Sequence, residues 1–150
     1  MVSRKAIDNF LAQKKYAVIG VSRSGTKFGN TIYKELKAKG YGLYPVNAHT
    51  EKINKETCYP DLKSLPEKVD GIITVIPPVE TEKIVHDAAS LGINQIWMQQ
   101  GSESEKAIRF CQDNKMNIIH GECILMFAEP VSILHRIHRW VWGLIGKLPR

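Results

Sequence analysis

A ten-residue segment from Gly20 to Gly29 combines the residue types that bind phosphate groups. Its sequence, GVSRSGTKFG, contains three glycines, three hydroxyl side chains and the cations Arg23 and Lys27. Glycines let the backbone approach an anion closely, and hydroxyl and cationic groups donate hydrogen bonds to it. The segment lies between an apolar run and a helical pattern, so the free N–H groups of a helix N-terminus would meet there. We predict that this segment, called the glycine loop below, binds the phosphates of a nucleotide. The simpler alternative is a turn that only joins a strand to a helix.

Short apolar runs alternate with amphipathic segments along the chain. The apolar runs predict five strands, at residues 16–21, 41–46, 69–76, 94–98 and 116–120. The amphipathic segments predict four helices, at residues 3–11, 30–39, 80–90 and 102–114, with Ser3 and Ser102 as N-terminal caps. Residues 47–68 are polar, and we predict a loop there with at most one short helical turn. The order predicts an α/β, Rossmann-like, doubly wound fold with a mostly parallel five-stranded sheet and helices on both faces.

Composition restricts the class of protein. The chain has 150 residues, of which 43% are hydrophobic and 24% charged, as is typical of a single soluble domain. No apolar run is long enough to span a bilayer, and the polar N-terminus lacks the apolar core of a secretory signal. Three cysteines cannot form a disulfide framework, and such a sparse count suits a reducing compartment. We therefore expect a cytoplasmic protein.

The C-terminal segment differs from the rest of the chain. Four of the six net positive charges lie after Pro130, where there is no acidic residue. An apolar stripe at helical spacing is formed by Ile133, Leu134, Ile137, Val141, Leu144, Ile145 and Leu148. We predict a nucleotide-binding domain at residues 1–128 and a basic amphipathic helical tail at 129–150. The tail is expected to dock on the domain, to pair in a homodimer or to bind a protein partner, rather than to lie on a membrane surface. Nothing resembles a helix-turn-helix, and we expect no nucleic-acid binding.

The glycine loop departs from the dinucleotide fingerprint in two ways. The pattern G-x-G-x-x-G lacks its central glycine, because Ser22 stands there between Gly20 and Gly25. The second predicted strand ends in Val46-Asn47 rather than in the carboxylate that holds the ribose of NAD. Both departures disfavour NAD.

Five motifs follow one another along the chain. They are Gly20–Gly29, Lys37-Ala-Lys-Gly-Tyr41, Tyr44-Pro-Val-Asn47, Asp70-Gly-Ile-Ile-Thr-Val-Ile-Pro-Pro78 and Trp97-Met-Gln-Gln-Gly101. In sequence and order they resemble the motifs of the CoA-binding domain family, which is related to the N-terminal domain of the succinyl-CoA synthetase α subunit. The resemblance spans residues 14 to 123, which is most of the chain.

The resemblance implies a CoA site at the first strand. The glycine loop would cradle the CoA phosphates, with Val46-Asn47 and Ile76-Pro77-Pro78 along the path of the adenosine and pantetheine parts. CoA or an acyl-CoA is the expected cofactor, and the residues expected to bind it are Gly20, Val21, Ser22, Arg23, Ser24, Lys27, Phe28, Gly29, Val46, Asn47, Ile76, Pro77 and Pro78. The chain departs from the family at Ala48, where a proline is usual. It also departs at His120-Gly-Glu122-Cys123, where an acidic residue and an arginine usually precede the cysteine.

The related synthetase works through a phosphohistidine on a second domain that this chain lacks. We therefore expect a non-catalytic CoA-binding module with no catalytic residue and no metal. The alternatives are an NAD(P)-dependent oxidoreductase, in which Arg23 would meet a 2′-phosphate, and a cofactor-sensing module that acts through a protein partner. Cys123 is more consistent with a buried, inert thiol than with a reactive one. The pairs His135/His138 and His120/Cys123 lack the further ligands that zinc requires.

Overall fold

A computed structural model describes residues 2–130 and 133–144, with the side chains of 133–135 and 138 excluded. Seven strands, five α-helices and a short 3-10 helix make up the described chain. The strands are β1 (Lys15–Ile19), β2 (Gly42–Val46), β3 (Lys52–Ile53), β4 (Glu56–Thr57), β5 (Gly71–Thr74), β6 (Gln95–Gln99) and β7 (Asn117–Glu122). The helices are α1 (Arg4–Leu11), α2 (Phe28–Ala38), α3 (Pro78–Ser90), α4 (Glu105–Asp113) and α5 (Ile133–Leu144), and the 3-10 helix spans Ile124–Met126.

Five strands form one parallel sheet in the order β2-β1-β5-β6-β7. Its central strands β1, β5 and β6 are apolar on both faces because helices cover both. One core lies under α1, α2 and the 3-10 helix, and it includes Phe10, Tyr16 and Trp97. The other lies under α3 and α4. The predicted Rossmann-like α/β fold is confirmed.

The segment after β2 is more structured than the predicted loop. Residues Lys52–Ile53 and Glu56–Thr57 pair as an antiparallel hairpin, and its two turn residues, Asn54 and Lys55, both have positive φ angles. The Glu56 carboxylate joins the hairpin to α2, accepting hydrogen bonds from the Tyr33 hydroxyl (2.6 Å) and the Lys37 ammonium. The prediction of an unstructured loop is therefore wrong for these residues.

Ser102 does not cap α4 as predicted. The side chain of Ser104 accepts the capping hydrogen bond from the Ala107 N–H at 3.1 Å, and the helix begins at Glu105. Ser102 is buried and bonded to other side chains, because two threonines from distant segments lie within reach of its hydroxyl.

The last described helix, α5, packs on the 3-10 helix through one side only. Trp142 contacts the core under α1 and α2, and the Arg139 guanidinium lies 5.7 Å from the centre of the Phe127 ring. The described members of the predicted apolar stripe, Ile137, Val141 and Leu144, are instead exposed. Its other members, Ile133, Leu134, Ile145 and Leu148, lie outside the described side chains. No described helix is long and apolar enough to cross a membrane.

Candidate functional site

The order of the strands creates a crevice at the carboxyl end of β1. The chain passes from β1 to β2 on one side and then crosses to β5 on the other, so the connections at these ends diverge. Ligands of doubly wound sheets bind at this switch point. Gly20, Asn47 and Val75 directly follow the last residues of β1, β2 and β5. The fold thus brings together the segments that carry the predicted site residues.

Gly20 and Gly29 occupy positions where a side chain has no room. A Cβ atom on Gly20 would lie 2.2 Å from the carbonyl oxygen of Val75, and the φ angle of Gly20 is +116°. A Cβ atom on Gly29 would lie 2.3 Å from the carbonyl oxygen of Gly20. The first turn of α2 therefore packs directly on the end of β1, which brings the N-terminus of the helix to the switch point.

Asn30 fixes the base of the glycine loop. Its side-chain oxygen accepts hydrogen bonds from the backbone N–H (3.1 Å) and the hydroxyl (3.0 Å) of Ser22, and its amide donates to the Ser22 carbonyl at 2.8 Å. Both residues are buried. Sequence reasoning missed Asn30, although an asparagine directly after the last loop glycine was a usable signal for such a clamp.

The three hydroxyl groups of the loop bond to one another. The oxygens of Ser22 and Ser24 are 2.9 Å apart, as are those of Ser24 and Thr26. Because the Ser22 proton goes to Asn30, Ser24 must donate to Ser22 and Thr26 to Ser24. All three protons are thus used within the loop. The three hydroxyl groups therefore stabilise the present shape of the loop, and each would have to rotate to donate a hydrogen bond to a phosphate.

The outer part of the loop carries unpaired donors and cations. Residues 23–28 are exposed, and within the described part of the chain neither Arg23 nor Lys27 forms an ion pair. Phe28 and Gly29 lead α2, so their N–H groups have no partner inside the helix. The loop can therefore offer an anion two side-chain cations and the positive end of a helix dipole.

Asn47 joins the end of β2 to the glycine loop. Its amide donates to the carbonyl oxygen of Val21 at 2.8 Å, and its side-chain oxygen accepts from the His49 N–H at 2.8 Å. Arg23 and His49 line an open cleft of about 710 Å³ beside it, together with Ala48, Thr50, Glu51, Lys52, Cys58 and Pro60. Val46 is buried in the core, so only the residues after it can reach a ligand.

A buried hydroxyl cluster holds the opposite wall of the crevice. Ser102 donates to the Thr74 hydroxyl (2.9 Å) and lies 2.9 Å from the Thr81 hydroxyl, and its oxygen accepts from the Ile76 N–H at 3.4 Å. The cluster ties the end of β5 to α3. Ile76 is half-buried, while Pro77 and Pro78 are exposed at the start of that helix.

The titratable groups near the end of β7 lie away from the switch point. Burial raises the pKa of the Cys123 thiol and lowers the pKa of His120. Burial also raises the pKa of Glu122 to about 7, and its Oε2 atom has no hydrogen-bond partner among the described residues. Cys111, a predicted core residue, is fully buried. Among described residues no three His, Cys, Asp or Glu side chains are close enough to hold a metal ion, and the side chains of His135 and His138 are outside this set.

The family model described as a CoA binding domain matches residues 14–129. An ADP-forming acetate–CoA ligase I of Archaeoglobus fulgidus is 39% identical over 130 residues, which are 80% of this chain and 19% of the ligase. The α subunit of an ADP-forming acetate–CoA ligase II of Pyrococcus furiosus is 26% identical over 129 residues, which are 79% of this chain and 28% of the subunit. The chain therefore spans less than a third of the length of either of these relatives.

A solved structure supports the same grouping. A conserved hypothetical protein of Pyrococcus furiosus is 35% identical and superposes with a TM-score of 0.70, covering 74% of this chain and 96% of that protein. The family model spans all five strands of the parallel sheet and the glycine loop between the first of them and α2. The chain belongs to the CoA-binding domain family.

Proposed function

We propose that the chain binds CoA in the crevice at the carboxyl end of β1, with the CoA phosphates on the glycine loop. The observation that carries this proposal is the close packing of Gly29 on Gly20, which brings the N-terminus of α2 next to the carboxyl end of β1. Arg23 and Lys27 supply the charge, and the backbone N–H groups of the loop supply hydrogen bonds. Ser22 and Ser24 can also donate to a phosphate once the Ser22 hydroxyl rotates away from Asn30 and the Ser24 hydroxyl rotates away from Ser22.

The two neighbouring strands provide the walls for the rest of the ligand. β2 and β5 flank β1, so Val46-Asn47 and Ile76-Pro77-Pro78 lie on opposite sides of the loop. We assign the β2 side to the adenosine part and the β5 side to the pantetheine arm. The resemblance to the family suggests which end of CoA lies on which side, and the strand order shows where the two sides are.

NAD(P) fits this arrangement less well than CoA. The ribose of NAD is held by a carboxylate at the end of the second strand, and Asn47 stands at that place. Both functional ends of the Asn47 side chain are already bonded to the backbone of Val21 and His49. Asn47 thus offers a ribose one neutral oxygen that already accepts from the His49 N–H, in place of the two charged oxygens of a carboxylate.

We further propose that the chain carries CoA and performs no chemistry on it. The relatives named above are ADP-forming ligases, and the part that this chain matches is 19% of one and 28% of the other. The acid-activating chemistry would then belong to another protein, and a CoA-dependent contact with that partner would make the module a sensor.

Incubation of the protein with acetyl-CoA, ADP and phosphate tests this proposal. We expect no ATP to form, and sustained ATP formation would make the chain an enzyme.

The domain limits and the cellular location follow from the same proposal. We place the CoA-binding unit at residues 1–128, because the family match ends at residue 129, and treat 129–150 as a separate tail. The cytoplasm is the proposed location, since Cys58, Cys111 and Cys123 are all unpaired and buried, as suits a reducing compartment.

Calorimetric titration with CoA, acetyl-CoA, NAD⁺ and NADPH tests the proposal. We expect CoA or acetyl-CoA to bind much more tightly than either nicotinamide nucleotide. Lys27→Ala removes one charge-assisted contact, which contributes about 1.5–3 kcal/mol, so CoA affinity should fall roughly tenfold to a hundredfold.

The matched control is Lys34→Ala. Lys34 is exposed on the same helix, about 10 Å along its axis from Lys27, and its loss changes the net charge by the same amount. We expect CoA affinity to stay within about twofold in this variant. Equal losses in the two variants would mean that only the overall charge matters, and an unchanged Lys27→Ala affinity would move the phosphate site elsewhere.

A further inference from the structure

The outward side of α5 is an apolar face that nothing in the described chain covers. Ile137, Trp140, Val141 and Leu144 have exposed fractions of 55%, 66%, 39% and 68%. Their spacing of i, i+3, i+4 and i+7 places all four within about 100° of the helix circumference. The opposite side of the same helix carries Trp142, which packs on the domain. The helix is therefore already anchored, and its second apolar face is available to a partner.

The sequence that carries this face is basic. Arg136 is exposed at its flank, and the sequence continues to Lys147 and Arg150 with no Asp or Glu after Glu129. Where the helix meets the domain, Lys39 donates to the carbonyl oxygen of Pro130, and Arg139 pairs with Glu129 at 3.8 Å. The partner of the face must therefore be apolar in its middle and anionic around it.

A shallow cleft beside the face gives the anion a place. The cleft has a volume of about 650 Å³ and is lined by Glu129, Pro130, Arg136, Arg139, Trp140, Gly143 and Leu144. The exposed Arg136 guanidinium and the Trp140 indole ring thus share one open depression, in which Arg139 already pairs with Glu129. Guanidinium groups pair with phosphate through two parallel hydrogen bonds, and tryptophan is favoured where an apolar layer meets water.

We propose that α5 docks the protein on an anionic lipid surface, with Ile137, Trp140, Val141 and Leu144 between the acyl chains and Arg136 on lipid phosphates. A convex helix face with apolar residues in the middle and cations at its sides is the form that binds such surfaces. A second copy of the chain suits the face less well, because a twofold interface would bring the same cations together. This proposal does not depend on CoA binding.

Flotation of the full chain with lipid vesicles tests the proposal. At low salt we expect the protein to float with vesicles that contain phosphatidylglycerol and to remain unbound with pure phosphatidylcholine. Binding should fall at least tenfold when the salt concentration is raised to about 0.5 M, because the electrostatic part is then screened. Equal binding to both kinds of vesicle, or no binding at low salt, would overturn the proposal.

Three variants separate lipid docking from the other occupants. Trp140→Ala/Leu144→Ala and Arg136→Glu should each reduce flotation at least tenfold, whereas Val79→Ala, which truncates an exposed apolar side chain on α3, should not. Arg136→Glu keeps the apolar face, so it remains informative if the double variant folds poorly. Light scattering after gel filtration gives the oligomeric state. Two outcomes would overturn the proposal. In the first, the protein does not float and is a dimer that Trp140→Ala/Leu144→Ala converts to a monomer, which would assign the face to a second copy. In the second, an acidic protein binds this face while vesicles do not.

Discussion

At the scale of single residues, the side chains that define the crevice are not the charged ones. Asn30 holds three polar groups of Ser22, and Gly20 and Gly29 allow backbone contacts that a single methyl group would prevent. Arg23 and Lys27 are exposed and can move without cost to the fold. Buried residues thus determine the shape of the crevice, while its charged side chains are exposed and can change conformation when a ligand binds.

Glu122 is the buried residue whose charge the fold supports least. Only about 8% of its surface is exposed, one carboxylate oxygen has no partner among described residues, and burial raises its pKa to about 7. The unfolded carboxyl group loses its proton near its ordinary pKa of 4.5. Between these values the folded state holds one more proton than the unfolded state, so stability falls as pH rises from about 4.5 to about 7.

Glu122→Gln should remove this part of the pH dependence. The variant replaces the carboxyl group by a neutral group of the same shape, so it should match the parent protein near pH 5 and be more stable near pH 8 by about 2–3 kcal/mol. Urea unfolding at the two pH values measures the difference. His120, whose pKa burial lowers, acts in the opposite direction in both proteins and cancels in the comparison. Glu105→Gln, on an exposed side chain, is the control, and parallel pH curves for Glu122→Gln and the parent would contradict the prediction.

At the scale of elements, the hydroxyl cluster under the crevice joins β5, α3 and the segment that leads into α4. Thr74 and Thr81 are fully buried, and the Ser102 hydroxyl bonds to both. The same oxygen accepts the backbone N–H of Ile76, which lies on the β5 wall of the crevice. The position of that wall therefore depends on a residue about 26 positions further along the chain.

Ser102→Ala should loosen the wall as well as destabilise the protein. It leaves two buried hydroxyl groups and one N–H group without their shared partner, which costs about 1–3 kcal/mol. CoA affinity should fall several-fold, because Ile76 loses its anchor. Ser104→Ala, on the neighbouring helix cap, should cost about 1 kcal/mol of stability and leave the affinity unchanged. Unfolding curves and calorimetry on both variants provide the comparison, and a CoA affinity unaffected by Ser102→Ala would separate the cluster from the site.

The elements that the sequence predicted correctly are those whose pattern is local. The five main strands are apolar runs and the helices have one apolar face, and both patterns extend over four or more residues. The hairpin β3–β4 has only two residues in each strand, too few for an alternation to be visible. Ser102 and Ser104 both resemble caps, and only contacts to Thr74 and Thr81 across the fold decide between them.

The glycine loop is also predicted from a local pattern, and the segments that carry the predicted site residues meet at one crevice, although Val21 and Val46 are themselves buried. Gly20, Asn47 and Val75 converge there because three parallel strands end side by side. The state of the loop hydroxyls could not be predicted, since it depends on where the proton of Ser22 points. The sequence also does not predict which side of α5 packs on the domain, because both Trp142 and the apolar stripe could do so. In the structure Trp142 packs on the domain and the described stripe residues are exposed.

At the scale of the whole molecule, the crevice is formed by segments far apart in sequence and exists only in the folded state. Residues 20–30, 46–47 and 75–78 meet there. Asn47 ties the second of these segments to the first, and Asn30 closes the first on itself. An unfolded chain would offer CoA no comparable site. Ligand binding should therefore stabilise the entire domain rather than the loop alone.

Saturating CoA should raise the melting temperature by an amount that grows with the logarithm of the ratio of its concentration to its Kd. At a concentration 100 times the Kd the stabilisation is about 2.7 kcal/mol, which corresponds to roughly 5–10 °C for a domain of this size. At that same concentration Lys27→Ala, bound tenfold to a hundredfold more weakly, should retain about 1.4 kcal/mol or less. NAD⁺ at equal concentration should shift the parent protein much less than CoA does. Differential scanning calorimetry measures these shifts, and a CoA shift that Lys27→Ala leaves intact would mean that the phosphates bind away from the glycine loop.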